Sequence, residues 1–250
     1  MLRHLKYLAA AIPLMAASFA WGDIASSKHD FSAATWSDQQ ICKPCHTPHN
    51  GTQAAITGRL WAHTLSTQTY KYHGLATKPL DGITTTEDAS GTAAQTDMDG
   101  ATRLCLSCHD GTVALDSFMG KDGTADGQMM GSDAQHGSAE ANLGTDLSND
   151  HPVGYKAHID ETNASVVGGV THYRYKSIAS IKAKLKLAIS PDAFPAGKTD
   201  QTGAAITYTN YYSVSCMTCH DVHNAGASDK PGLLRVSNDN SDLCLTCHNK

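Results

Sequence analysis

Every cysteine of this chain belongs to a Cys-x-x-Cys-His unit, which strongly restricts how the chain can fold. In c-type haem attachment the two thiols add to the vinyl groups of one haem, and the adjoining histidine ligates its iron. The sequence therefore predicts four covalently bound haem c groups, with all eight cysteines as attachment sites and four histidines as proximal iron ligands. The units are Cys42-Lys-Pro-Cys45-His46, Cys105-Leu-Ser-Cys108-His109, Cys216-Met-Thr-Cys219-His220 and Cys244-Leu-Thr-Cys247-His248.

Three other uses of paired cysteines were weighed against haem attachment. Zinc sites could recruit two Cys-x-x-Cys pairs each, but they would leave the four following histidines unexplained. A disulfide framework suits an exported chain, yet it also ignores those histidines. A thioredoxin-like redox pair has the same weakness, so haem is the preferred interpretation.

The N-terminal residues are typical of a secretory signal peptide. Arg3 and Lys6 precede an apolar run over residues 7–20, which is too short to span a bilayer and is followed by small residues. We expect residues 1–22 to be removed, with cleavage after Ala20 or Gly22. No later stretch predicts a membrane span, so the mature protein is expected to be secreted.

The composition predicts an unusual core. The chain has 250 residues but only four Phe and three Trp, and Gly, Ala, Ser, Thr and Asp dominate its middle. We expect residues 23–250 to form a single multihaem cytochrome c domain, mostly loop with short helices and strands wrapped around a stacked haem core. The net charge of −5 argues against a nucleic-acid partner.

The motifs form an internal repeat in the order A, B, A, B. Residues 42–50 match residues 216–224, and residues 104–110 match residues 243–249. The domain is thus predicted to contain a haem pair at 42–109, an insertion of loop and strand at 110–215, and a second haem pair at 216–248.

Two segments of the insertion have patterns of their own. Residues 110–150 are rich in Gly, Asp, Ser and Ala and predict loop. Residues 181–189 alternate apolar side chains with lysines, which predicts a half-buried strand with a lysine-guarded edge, although Ile178, Ile181, Leu185 and Ile189 also fit one face of a helix. The β-rich run 206–214 could pair with this strand.

Nine histidines remain as candidate distal ligands, on the side of each iron opposite the proximal histidine. His49 and His223 are the strongest, because each lies three residues beyond a proximal histidine in the repeat and can reach a neighbouring haem but not its own. His29 and His151 are predicted to fill the other two sites, with His63 as the alternate. His136 could also serve, and methionine ligation stays open. The remaining three, predicted to be surface residues, are His73, His158 and His172.

The motif-bearing segments resemble a known family. The runs at 41–50, 105–115, 149–154 and 243–250 are similar to the doubled Cys-x-x-Cys-His multihaem cytochromes, and chain length, haem number and motif order resemble the OmcE-type extracellular tetrahaem cytochromes. The resemblance implies filaments in which all haems have two histidine ligands, one of them donated by the neighbouring subunit. It implies long-range extracellular electron transfer, with other multihaem cytochromes or extracellular acceptors as partners.

The leading functional hypothesis is an electron conduit that is not an enzyme. Irons closed by two histidines bind no substrate, and no motif is altered in the way that marks an open iron. The alternatives are a monomeric periplasmic shuttle and a multihaem oxidoreductase. If subunits form a head-to-tail homopolymer on the cell surface, His29 and His63 are the expected donors between subunits, because both lie outside the repeated motifs.

Overall fold

The computed structural model describes a large part of the chain. The segment 1–22, expected to be a signal peptide, lies outside the described residues, as do His73, His136 and His158. The described residues are 23–49, 60–72, 92–94, 98–121, 123, 129–131, 139–154, 157, 159, 164–189, 212–223 and 231–249.

Helices within the described residues are short, and most of them carry a haem motif. They are α1 at Gly100–His109, α2 at Ile178–Lys182, α3 at Cys216–Cys219 and α4 at Asp242–Cys247. Single turns of 3-10 helix lie at Asp23–Ser26, Thr35–Ser37, Ala139–Ala141, Pro231–Leu233 and Asp239–Ser241. No helix among the described residues is long and apolar enough to cross a membrane.

The described strands form three separate antiparallel pairs. They are β1 at Thr69–Lys71 with β2 at Thr92–Ala94, β3 at Ala164–Val167 with β4 at Val170–Tyr173, and β5 at Ala188–Ile189 with β6 at Tyr212–Ser213. The tight turn between β3 and β4 is made by Gly168 and Gly169, whose positive φ angles of 60° and 80° favour glycine. The prediction of little regular secondary structure is confirmed for these residues.

The prediction of a strand over residues 181–189 is wrong for most of its length. The Ser177 hydroxyl accepts from the Ser180 amide at 3.3 Å and begins helix α2, which buries Ile181 completely. Leu185, one turn later, is also buried, so the helical periodicity determines which side chains face inward. Within this run, only its last two residues form a strand, β5.

The predicted pairing between the two runs is nevertheless confirmed where the structure describes both, since residues 206–211 of the second run lie outside the described residues. Ala188 lies opposite Ser213, and Ile189 lies opposite Tyr212. The lysines do not guard a strand edge. Lys182 lies on α2, where its Nζ donates to the Tyr212 hydroxyl at 2.8 Å and lies 4.4 Å from the ring centroid.

Helix α1 has the most complete N-terminal cap of the described motif helices. The Asp99 carboxylate accepts from the amides of Ala101 and Thr102 at 2.9 and 3.0 Å, and from the Thr102 hydroxyl at 2.6 Å. Leu104 and Leu106 on the same helix are buried. Capping and burial together hold the second haem motif firmly in place.

Apolar side chains are divided between two small buried clusters in the described residues. One contains Tyr70, Tyr72, Met98, Leu106 and Leu147. The other contains Ile159, Ile181 and Leu185, with partly buried side chains such as Tyr175 and Leu243 packed against it. The second cluster joins α2 to the final haem motif, because Leu243 and Cys247 both lie on α4.

Replacing Ile181 with alanine should destabilise the protein. Ile181 is fully buried, and truncating a buried isoleucine typically costs about 2–5 kcal/mol. We expect a lower midpoint of denaturant unfolding for Ile181→Ala, measured by circular dichroism. The control Lys184→Ala, at an exposed position, should unfold within about 0.5 kcal/mol of the parent protein. Equal midpoints for both variants would contradict this packing.

Candidate haem sites

Each haem motif is organised by one helical turn. In the first motif the His46 amide donates to the Cys42 carbonyl at 2.8 Å, although no α-helix surrounds it. The His220 amide makes the same bond to the Cys216 carbonyl at 3.1 Å, and the His248 amide makes it at 2.9 Å in the last motif. This turn brings the two thiols to one side and places the histidine directly after them.

All eight cysteines lie within the described residues. No disulfide competes with haem attachment among them. Burial, with a smaller contribution from the nearby Cys42, raises the pKa of the Cys45 thiol to about 12.

Thiols of consecutive motifs lie close to one another. Burial raises the pKa of Cys108, and Cys45 of the preceding motif raises it further. The Cys105 thiol is hydrogen-bonded to Cys216 of the next motif, which raises the pKa of Cys105. The last two motifs adjoin through Cys219 with Cys244 and Cys247. The four motifs therefore follow one another in space in the same order as in the sequence.

Three proximal histidines face a second histidine from elsewhere in the chain. The ring centroids are 6.2 Å apart for His46 and His223, 6.0 Å for His109 and His29, and 6.4 Å for His248 and His151. Each second histidine belongs to the set that the sequence predicts as distal ligands.

These distances fit two imidazoles on opposite sides of one metal ion. A metal–nitrogen bond of about 2.0–2.1 Å and about 1.1 Å from nitrogen to ring centroid, taken twice, give a centroid separation of about 6.3 Å. The observed separations of 6.0–6.4 Å agree with that value. Three of the four motifs thus have a donor set that fits iron with two axial histidines.

Hydrogen bonds to backbone carbonyls set the tautomer of several of these rings. Nδ1 of His109 lies 2.8 Å from the Ala141 carbonyl oxygen, and Nδ1 of His220 lies 2.6 Å from that of Gly232. A carbonyl oxygen only accepts, so Nδ1 carries the proton and Nε2 keeps its lone pair for a metal. His151 has the same arrangement with its neighbour Pro152 at 3.1 Å.

For three of the paired histidines, His29, His109 and His248, burial favours the neutral ring that metal ligation requires. Burial, with smaller contributions from the nearby His109, His220 and His223, lowers the pKa of His29 to about 4. Burial also lowers the pKa of His109 and of His248. In addition, the buried Nδ1 of His29 has no hydrogen-bond partner among the described residues, which is costly unless the ring is bound to another group.

Two aromatic side chains that the sequence did not identify support the proximal rings. Trp61 lies edge-on to His46 with centroids 5.9 Å apart, and the two residues also form an isolated β-bridge. Tyr175 lies tilted at 43° to His248 with centroids 5.0 Å apart, and these two residues also form an isolated β-bridge. Only the tertiary fold brings these residues together, since neither aromatic residue lies within its histidine's motif.

His63 is placed differently from the paired histidines. Its side chain is 1% exposed, Nδ1 donates to the Thr64 carbonyl at 2.8 Å, and Nε2 lies 3.4 Å from the Cys108 sulfur. It faces no proximal histidine ring in the described residues. His63 is buried and His29 is partly buried within their own chain, and donation of either ring to a neighbouring subunit stays a prediction.

Two of the predicted iron ligands, His220 and His49, face no other histidine ring among the described residues. No histidine ring among the described residues faces His220, the proximal histidine of the third motif. The ring of His49 is exposed, and the described contact of that residue is through its carbonyl, which accepts from the Thr47 hydroxyl at 2.8 Å. His172, on β4, is also exposed.

Comparison with known protein families gives one match. Residues 212–250, which contain the third and fourth motifs, match the family described as Doubled CXXCH motif. No curated protein matches the chain. The family match and the motifs indicate covalently bound haem c and support a multihaem c-type cytochrome.

Removing His223 should open one iron. We expect the oxidised parent protein to be low-spin, and His223→Ala to convert roughly one haem in four to the high-spin form, because His46 loses the ring opposite it. Electron paramagnetic resonance and visible absorption measure the spin state. His172→Ala, which removes an exposed histidine, is the matched control. An unchanged spectrum for His223→Ala would show that His223 is not a ligand.

Proposed function

We propose that this chain is a tetrahaem electron-transfer cytochrome that polymerises into an extracellular filament. The observation that carries the proposal is the set of three histidine pairs, with ring centroids 6.0–6.4 Å apart, at the first, second and fourth motifs. We assign His223, His29 and His151 as the distal ligands opposite His46, His109 and His248.

Bound haem supplies one-electron redox chemistry, and the chain decides what that chemistry can be used for. Where a proximal and a distal histidine both held one iron, a substrate would have no place to bind at that iron. This arrangement favours electron transfer and supports the proposal that the chain is not an enzyme.

The spatial order of the motifs supports conduction along the chain. Thiols of the first and second, second and third, and third and fourth motifs lie near one another. Because the thiols are the attachment points, haem edges held there would adjoin in sequence order. An electron could then pass through four sites in a line.

His49 is the side chain best placed to link subunits. It is the repeat equivalent of His223, it is exposed, and the third motif lacks a partner for His220 among the described residues. We propose that His49 of one subunit ligates the iron at His220 of the next. Such head-to-tail donation does not close on itself, so an open filament results.

Two other functions remain candidates on specific observations. A monomeric periplasmic shuttle would have the same three histidine pairs. A multihaem oxidoreductase would need an iron with an open position. The third motif is the candidate for it, because no histidine ring among the described residues faces His220. We favour the filament at the cell surface, with other multihaem cytochromes or extracellular acceptors as partners.

Electron microscopy of the purified native protein tests the proposal. We expect filaments from the parent chain, and single particles with one high-spin haem from His49→Ala, because the link between subunits is lost. Haem content should stay at four per chain, and His172→Ala should still form filaments. Single particles from the parent, fully low-spin, would support the shuttle, whereas a stoichiometric high-spin haem in the parent would support the oxidoreductase.

A further inference from the structure

The residue after the proximal histidine differs among the four motifs in its charge. It is Thr47, Asp110, Asp221 and Asn249 in chain order. Two motifs therefore place a carboxylate directly beside an iron ligand. Both aspartates directly follow a Cys-His dipeptide. In the structure, however, their carboxylates have different neighbours.

The charge of Asp221 is neutralised by an arginine. Arg235 Nη1 lies 2.9 Å from Asp221 Oδ2, and Arg235 Nε donates to the Met217 carbonyl at 2.9 Å. The two side chains are only 10% and 17% exposed, so the ion pair is largely shielded from solvent. The third motif thus carries a carboxylate and a guanidinium that cancel.

The charge of Asp110 is held by neutral donors only. Its Oδ2 accepts from the Tyr70 hydroxyl at 2.6 Å, and its Oδ1 accepts from the Thr112 amide and hydroxyl at 2.8 and 2.9 Å. These three neutral groups satisfy both carboxylate oxygens without adding a compensating positive charge. Asp110 is 3% exposed, and no lysine or arginine among the described residues pairs with it.

We propose that the Asp110 carboxylate gives the haem attached at Cys105 and Cys108 the lowest reduction potential of the four. A fixed negative charge near the iron stabilises the ferric state, which carries one more positive charge than the ferrous state. This inference rests on the proposed function, because it requires haem at every motif.

The Asp110 carboxylate also affects the Cys108 thiol of the second motif. Burial raises the pKa of the Cys108 thiol, and Cys45 and Asp110 raise it further. The later motifs have basic neighbours instead: Arg235 acts to lower the pKa of Cys219, and Lys176 acts to lower that of Cys247, against the larger effect of burial. The electrostatic environment of the second motif is therefore the more negative one.

The position of this site in the line gives the charge a consequence for conduction. The second motif adjoins the first through Cys108 and the third through Cys105. An electron moving through the chain in either direction must therefore cross the site that is hardest to reduce. Asp110 would determine how far the reduction potential of this haem lies below those of its neighbours. Tyr70 would position the Asp110 carboxylate.

Redox titration of the loaded protein tests the inference. Asp110→Asn should raise the lowest reduction potential by about 59 mV, which is roughly a tenfold change in the reduction equilibrium of that haem. Two unit charges about 10 Å apart, at an effective dielectric constant of about 20, interact with an energy of that order. The amide keeps the carboxylate's shape, and the Tyr70 hydroxyl can turn to Ser66 Oγ at 3.0 Å. Asp146→Asn, an exposed ion-paired carboxylate, should leave every step in place.

A second variant keeps the test decisive if Asp110→Asn does not fold. Thr112 is exposed, so Thr112→Arg can place a guanidinium beside Asp110 as Arg235 is placed beside Asp221. It should raise the same lowest step by more than the control Thr112→Gln does, because both variants lose the hydroxyl donor to Asp110 and only arginine adds a positive charge. Movement of a higher step, or an unmoved lowest step with four haems present, would overturn this inference alone. Fewer than four haems in the parent would overturn the proposed function as well.

Discussion

Pairing of histidine rings across about 6 Å is the interaction on which the rest of the structure depends. Each pair joins segments that are distant in sequence: His223 reaches back to the first motif, His29 reaches forward to the second, and His151 reaches forward to the last. With a metal between the rings, each pair would act as a cross-link that ties the loops into one domain. The described apolar clusters are too small and too separate to do so alone.

The same pairing explains why the surroundings of rings such as those of His29 and His109 favour the neutral imidazole. A buried polar atom without a partner is unfavourable, yet Nδ1 of His29 is buried without a hydrogen bond. A metal bound to that nitrogen would supply the missing interaction. For His109 and His220, the carbonyl groups of Ala141 and Gly232 hold Nδ1, so Nε2 is left to bind a metal.

Local chemistry was predictable from the sequence, and tertiary placement was not. The Cys-x-x-Cys-His turns and the scarcity of regular structure follow directly from the motifs and the composition. The repeat makes His49 and His223 equivalent, and both are exposed, yet only His223 faces a proximal histidine ring, that of His46, among the described residues. Asp110 and Asp221 diverge for a similar reason, since Arg235 lies 14 residues beyond Asp221 and reaches it only through the fold. The alternation of apolar residues and lysines over 181–189 favoured a strand. A helix begins there instead, because Ser177 caps it and it buries Ile181.

Four covalently attached haems are the feature around which we propose that this fold is built. Intact-mass spectrometry of the purified protein in denaturant distinguishes covalent haem from other occupants, because thioether bonds survive unfolding and zinc or non-covalent haem does not. We expect the mass of the polypeptide plus four haems, with no thiol left to alkylate. A mass with fewer haems, and a matching pair of free thiols for each one missing, would contradict it.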